Sequence, residues 1–299
     1  MSKERENQEE KMWEENKKIR EALKDKKRII VKIGSSSVIH PETGGMDFVK
    51  LEKLARYLTD IHNQGKDVIL VSSGAVGMGM QTLGITKRPY SISRKQACAA
   101  IGQGQLIGVY ERFFREYSQN VAQVLLNKDV MLNPERRNNA KNTFIELLDM
   151  GVIPIVNEND TVSTEEIEFG DNDTLAAIVC ALVKGDLLIL MTDIDGFYTD
   201  DPRKNPEAKI IPMVEAIDNS IESMAKGVTS RFGTGGMASK IAAAAICNDS
   251  GADMLIVSGQ KASILNEIIQ GESHGTIFKA HKRADFDLIS YLENKTYIK

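Results

Sequence analysis

Residues 28–38 read RIIVKIGSSSV, an apolar, β-branched run broken only by Lys32. Such continuous apolarity is the pattern of a strand covered on both faces inside a parallel sheet. The run stops at Gly34, which is followed by Ser35, Ser36 and Ser37. Glycine permits a tight turn and close backbone approach, and small hydroxyl side chains add donors, so the exit loop can cradle an anion. Lys32 is the anomaly. An unpaired ammonium inside such a strand is costly, so an anionic partner is expected beside it, either a structural carboxylate or a bound phosphate.

The same pattern recurs along the chain. DVILVSS (67–73), VAQVLL (121–126), VIPIVN (152–157), LLILMTD (187–193) and MLIVSG (254–259) read as further strands. Between them lie segments of helical period. Residues 47–63 place Phe48, Leu51, Leu54, Ala55, Leu58 and Ile61 on one face, and Asn63, Gln64 and Gly65 close the helix. Residues 91–117, 135–150, 172–184, 239–250 and 262–270 are the other helix candidates. Strands alternating with helices at this spacing predict an α/β, mainly parallel open sheet with helices on both faces, an αβα sandwich. Ligands of such sheets bind at the carboxyl ends of the strands.

Composition excludes several classes. The formal net charge of −4 over 299 residues gives no sequence-wide attraction for nucleic acid or an anionic membrane. No apolar run approaches the roughly 20 residues needed to span a bilayer. Cys98, Cys180 and Cys247 lie far apart without metal-ligand spacing and read as buried thiols in a reducing compartment, so a cytoplasmic protein is expected. Residues 1–27 form a charged N-terminal extension with few apolar residues: Met12, Trp13, Ile19, Ala22 and Leu23. The spacing of Met12, Ile19 and Leu23 fits one helix stripe, either on a solvated helix or on a docking helix anchored by Trp13.

Three strand ends and one helix start carry candidate chemistry. VKIGSSSV puts Gly34 and Ser35 at an anion cradle. VSSGAVGMG (71–79) runs from a strand through Ser73 and Gly74 into a glycine-rich helix start, but lacks the third glycine of a dinucleotide fingerprint. Helix packing explains Gly77 and Gly79 as well as a ligand does. In RFGTGGMASKIAAAA (231–245), backbone amides, a helix dipole and Lys240 converge, which is a good phosphate subsite. LLILMTDIDGFYTDDPRKNP (187–206) adds Thr192 and Asp193, then acids that suit turns. No P-loop motif occurs.

Together these pieces resemble the amino acid kinase family and, within it, the glutamate 5-kinases, over roughly residues 28–282. TDIDGFYTDDPR (192–203) and the lysine-glycine-serine turn are shared broadly; VNENDTV (156–162), FGDNDTLAA (169–177) and GTGGMASK (233–240) carry the narrower likeness. The resemblance implies ATP-dependent phosphorylation of the side-chain carboxylate of L-glutamate to glutamyl 5-phosphate, the first step towards proline, with Mg²⁺ as cofactor. It implies that Lys32 and Lys240 contact ATP phosphates and that Thr192, Asp193, Thr234, Gly235, Gly236, Met237, Ala238 and Ser239 lie in the nucleotide site. Ser73, Asp160 and Asn172 match the glutamate site, with Gly74 beside them. Asp173 is expected to orient both lysines. The expected organisation is one kinase domain, 28–299, with a glutamate-binding lobe at about 28–183 and a nucleotide-binding lobe at about 184–282. Longer members add a C-terminal PUA domain, and this chain stops about where that would begin. Likeness also implies a homo-oligomer, dimer or tetramer, proline feedback, and a glutamyl phosphate reductase as a possible partner.

The acid-rich stretch IVNENDTVSTEEIEFGDND (155–173) can then be sorted. Free glutamate carries an α-ammonium, and Asp160 is the candidate acceptor for it. An amide both donates and accepts, so Asn172 suits a substrate bearing carboxylates and an ammonium. Glu165, Glu166 and Glu168 read as solvent-facing hairpin residues. A carboxylate nucleophile is already ionised at neutral pH and needs no general base, which fits the absence of His40, His62, His274 and His281 from the motifs. Rival readings are an aspartate or N-acetylglutamate kinase, a non-catalytic sensor, and a nicotinamide dehydrogenase.

Overall fold

In a computed structural model the described residues are 3–40, 42–87, 89–162, 171–225 and 236–294. The hairpin expected to carry Glu165, Glu166 and Glu168, and the loop positions Thr234 and Gly235, lie outside them. Helix α1 (Lys3–Glu21) and a 3-10 turn (Ala22–Asp25) lead into β1 (Arg28–Ile33), α2 (Ser35–Val38), α3 (Phe48–Asn63), β2 (Asp67–Ser72), α4 (Ala75–Thr82) and α5 (Ile92–Arg115). There follow β3 (Val121–Leu126), α6 (Lys128–Leu132), α7 (Pro134–Asp149), β4 (Ile153–Glu158), α8 (Asn172–Leu182) and β5 (Leu187–Thr192). Next come β6 (Met213–Val214), α9 (Asn219–Ala225), α10 (Met237–Ser250), β7 (Asp253–Ser258), α11 (Ile264–Ile269), β8 (Thr276–Phe278) and α12 (Leu288–Asn294).

The strands form one sheet in the order β3-β4-β2-β1-β5-β7-β8-β6, parallel throughout except where β8 runs antiparallel to β7. The predicted α/β class is the observed one. All six strands read from the sequence are present, because strands buried on both faces must be apolar at nearly every position. β6 and β8, at two and three residues, are too short to show a period and were not anticipated. Helix α10 begins at Met237, two positions before the expected Ser239.

Alternation along β1 sorts its side chains between two cores. Ile30 joins Ile69, Val71, Ile178 and Ile241 under α8 and α10, while Ile29, Val31 and Ile33 join Leu54, Leu106 and Leu265 under α3, α5 and α11. Lys32, two positions beyond Ile30, therefore faces the α8–α10 side. Helices α4 and α5 approach so closely that a Cβ on Gly102 would stand 1.8 Å from the Ala75 carbonyl oxygen, and one on Gly79 the same 1.8 Å from that of Cys98. Packing, not a ligand, accounts for Gly79. The three cysteines are buried thiols. Among the described residues no helix is long and apolar enough to cross a membrane.

The N-terminal segment departs from its expected stripe. Leu23 is buried, but Met12 is 44% and Trp13 63% exposed; the anchor is instead Arg20, only 2% exposed. Its guanidinium donates to the carbonyls of His274 (2.6 Å), Pro212 (2.9 Å) and Gly275 (3.0 Å), and its Nε to Asn16 Oδ1 (2.9 Å). Reading hydrophobic spacing alone missed this, because an arginine can bury its stem and satisfy its head on backbone carbonyls.

Candidate active site

β1 sits at the turning point of the sheet: the chain goes from it to β2 on one side, while β5 lies on the other. At such a switch point the exit loops part and leave a crevice at the carboxyl ends of the strands. Here the Gly34 amide donates to the Met191 carbonyl at 3.2 Å, closing the base of the crevice. Gly259, at the end of β7, donates to the Thr192 carbonyl at 2.6 Å, and a Cβ there would stand 2.3 Å from Ser37 Oγ. Thr192 is buried, and its hydroxyl accepts from the Ile194 amide and donates to the Ile194 carbonyl, both at 3.0 Å. That hydroxyl holds the loop in shape, while Asp193 next to it is exposed.

The partner of Lys32 comes from α8. Asp171 caps this helix by accepting from the Thr174 amide at 2.8 Å, which is worth about 1 kcal/mol for such caps. Burial first, and then the neighbouring Asp173 carboxylate, raise the pKa of Asp171. Asp173, in the first helical turn, where a negative charge suits the dipole, is 1% exposed. Its Oδ1 pairs with Lys32 Nζ at 2.5 Å and its Oδ2 with Lys240 Nζ at 2.9 Å. Burial alone would push the Asp173 pKa up, but the two ammonium groups outweigh it and bring the carboxyl down to about 2. Lys32 and Lys240 are themselves 7% and 5% exposed.

Lys240 rides on α10, whose N-cap Gly236 supplies no side-chain cap to the first-turn amides. Ser239 Oγ donates to the Gly236 carbonyl at 2.8 Å and stands 3.5 Å from Asp173 Oδ2. Met237 is buried and Ala238 exposed in the same turn. A helix start of this kind, with a lysine beside it, is built to receive an anion.

A second polar group adjoins the first through consecutive residues. Asn172 Nδ2 donates to Ser73 Oγ at 2.8 Å and to Asn157 Oδ1 at 3.0 Å, and Asn157 Nδ2 donates to Gln103 Oε1 at 2.7 Å. Gly74 follows with φ of 114°, a left-handed conformation that glycine adopts freely, and caps α4. Asp160 lies in the turn just past β4 and is half-buried. Asn157 and Gln103 escaped the sequence reading; the available signal was a buried amide closing an apolar strand. Downstream, Asp200 and Asp201 bond Asn205 and Arg203 at 2.9 and 3.0 Å, as turn formers do.

Residues 27–258 match the amino acid kinase family, and the chain is 49% identical over 268 residues to the glutamate 5-kinase of Clostridium perfringens, covering 88% of this chain and 99% of that protein. The chain is an amino acid kinase of the glutamate 5-kinase group. It is also 51% identical over 263 residues to the glutamate 5-kinase of Clostridium tetani, covering 88% of this chain and 98% of that protein. With the glutamate 5-kinase of Carboxydothermus hydrogenoformans it shares 49% identity over 265 residues, 89% of this chain and 71% of that protein. The fold recurs in the UMP kinase of Bacillus anthracis, at a TM-score of 0.59 and 15% identity over 85% of this chain and 96% of that one. It recurs again in a carbamate kinase from Giardia lamblia bound to AMP-PNP, at a TM-score of 0.61 and 17% identity over 86% of this chain and 99% of that one. Within the amino acid kinase sheet, the lysine pair and the Ser73–Asn172 group therefore adjoin at the switch point.

Proposed function

We propose that this chain transfers the γ-phosphoryl group of ATP to the side-chain carboxylate of L-glutamate, giving L-glutamyl 5-phosphate and ADP. The observation that carries the reading is the convergence of Lys32 and Lys240 on Asp173, one residue beyond Asn172. A carboxylate and a phosphate are both anionic, and two unit charges about 3.5 Å apart repel by roughly 5 kcal/mol at an effective dielectric of 20. Bringing them into line is mainly positioning and charge neutralisation. Two ammonium groups fixed by one buried carboxylate supply positive charge at a defined place, and the uncapped start of α10 adds amide donors beside it.

In this reading Lys32, Gly34, Ser35 and the turn Gly236–Lys240 hold the phosphates, with Thr234 and Gly235 preceding them. The Thr192–Asp193 loop shapes the nucleotide side. Ser73, Gly74, Asp160 and Asn172 hold glutamate, with Asp160 facing the α-ammonium. Since the Asn172 amide nitrogen is turned to Ser73 and Asn157, its carbonyl oxygen is the atom left to accept from that ammonium. An acetylated substrate has no such cation to offer Asp160, which supports free glutamate over N-acetylglutamate.

Mg²⁺ would arrive with the nucleotide and, when bound, would supply further charge neutralisation. Asp173 has both oxygens committed to lysines, so the residues present fit a metal brought by the nucleotide better than one held by a carboxylate cage. The cytoplasm is the compartment this reading assigns, and a homo-oligomer and a reductase that consumes the labile acyl phosphate are its natural company. Incubation with ATP, Mg²⁺ and hydroxylamine tests it. Hydroxamate from L-glutamate, and little from L-aspartate or N-acetylglutamate, is the expected result; ADP release with no hydroxamate from glutamate would overturn the assignment.

A further inference from the structure

The family match begins at residue 27, yet the segment before it reaches into the catalytic end of the sheet. Among the described residues, Arg20 is a buried cation that donates to three backbone carbonyls and one side-chain amide, with no carboxylate among these acceptors. Two of those carbonyls, His274 and Gly275, immediately precede β8, and the third, Pro212, immediately precedes β6. Because β8 is antiparallel to β7, its first residue pairs with Ile256, near the end of β7 where ligand loops emerge.

From Arg20 a continuous set of bonds leads to the loop after β5. Gly275 lies so close that a Cβ there would stand 2.0 Å from the Ile256 carbonyl oxygen and 3.0 Å from that of Asp195. The next residue, Thr276, is fully buried; its Oγ1 accepts from the Phe197 amide at 2.8 Å and donates to the Ile211 carbonyl at 2.6 Å. The Ile211 amide in turn donates to the Phe197 carbonyl at 2.8 Å, and the Ile277 amide to the Pro212 carbonyl at 3.1 Å. Gly196 completes the contact, since a Cβ on it would stand 2.9 Å from Thr276 Oγ1. The β5 exit loop that begins at Thr192 and Asp193 is thus seated on the two strand starts that one guanidinium ties together.

The geometry points to Arg20 as a positioning residue for nucleotide binding: α1 is a brace that sets the β5 exit loop, and loosening it weakens the hold on ATP while leaving the glutamate side, built on β2, β4 and α8, unchanged. A lysine cannot replace the arginine, because one ammonium lacks the planar fork that spans three carbonyls. The inference rests on the proposed assignment of Thr192 and Asp193 to the nucleotide.

The test uses the full chain with Arg20→Lys and the milder Asn16→Ala, which frees the guanidinium to turn without deleting it. Glu15→Gln is the control; Glu15 pairs with Lys279 just past β8 and touches none of the carbonyls above. Three quantities are read: the dissociation constant of a non-hydrolysable ATP analogue, the KM for L-glutamate, and hydrogen exchange at the Phe197 amide. The expected result is analogue binding weaker by about three- to thirtyfold, the range for coupling through a bonded network, with glutamate KM within about twofold. Faster exchange at Phe197 should accompany it, and Glu15→Gln should match the parent. If Arg20→Lys and Asn16→Ala weaken both ligands alike, or move neither, the brace is overturned. Failure of the functional reading is distinguishable, since a parent chain that binds the analogue but yields no hydroxamate from glutamate overturns only that reading. A parent chain that binds no analogue overturns both.

Discussion

Lys240 holds one oxygen of Asp173 at 2.9 Å, and it is the oxygen that Lys32, at 2.5 Å from the other, does not use. One buried carboxylate therefore pairs with two buried cations and fixes both ammonium groups at the strand exits. That paired positive charge is what an incoming anion would meet, and it is held in place before any ligand arrives.

Removing either ammonium should depress turnover more than it raises the KM of either substrate. Lys32→Ala and Lys240→Ala are each expected to cost on the order of 3 kcal/mol in kcat/KM, about a hundredfold or more. Steady-state kinetics of glutamate-dependent ADP release checks this, and near-parental rates in either variant would remove that lysine from the transition state.

Asp173 should write a pH dependence into stability. Its pKa is depressed from 3.8 to about 2, so its contribution is fully present above about pH 4 and is lost as pH falls towards 2. The size is on the order of 2 kcal/mol. Asp173→Asn, which also leaves two buried ammonium groups facing each other, should cost about 3 kcal/mol at neutral pH. Urea unfolding of both proteins from pH 6 down to pH 2.5 should show the gap narrowing below pH 4; a constant gap would contradict the assignment.

Glutamate recognition should separate from nucleotide recognition. Asp160→Ala is expected to raise the glutamate KM by about tenfold or more, the worth of a charge-assisted hydrogen bond, with a smaller effect on ATP. Asn157→Ala should act in the same direction by releasing Asn172 from its 3.0 Å contact. Equal losses for both substrates would argue against the division of the site.

The α4–α5 contact offers a prediction about folding. In Gly102→Ala the new methyl would start 1.8 Å from the Ala75 carbonyl oxygen, backbone that can relieve the clash only by moving a helix. A loss of about 1–3 kcal/mol is expected, read as a lower thermal midpoint. Gly104→Ala, which meets nothing within 4 Å, should be neutral or slightly stabilising.

What was legible in the sequence follows from how locally each feature is encoded. Six strands could be read because burial on both faces leaves a run with almost no polar interruption, and Lys32 stood out for the same reason. Met213–Val214 and Thr276–Phe278 gave no period, as their strand character comes from neighbours supplied by the finished sheet. Asp173 could be placed beside both lysines through family likeness, whereas Gln103 could not, because its tie to Asn157 crosses from one helix to a distant strand. Arg20 was hidden among charges that look alike until one of them is found without water. Thr192 shows the limit in another way: the residue was singled out, but its hydroxyl is spent on the Ile194 backbone.

The seam between β1 and β5 joins segments from opposite halves of the chain, in register from Ile29 with Leu187 to Ile33 with Met191. A polypeptide cut at Gly185 would give two pieces, each ending in a raw central edge of unpaired amides and carbonyls flanked by apolar side chains. Neither piece could keep house alone, and co-expression rather than later mixing would be the route by which such halves recover a working molecule.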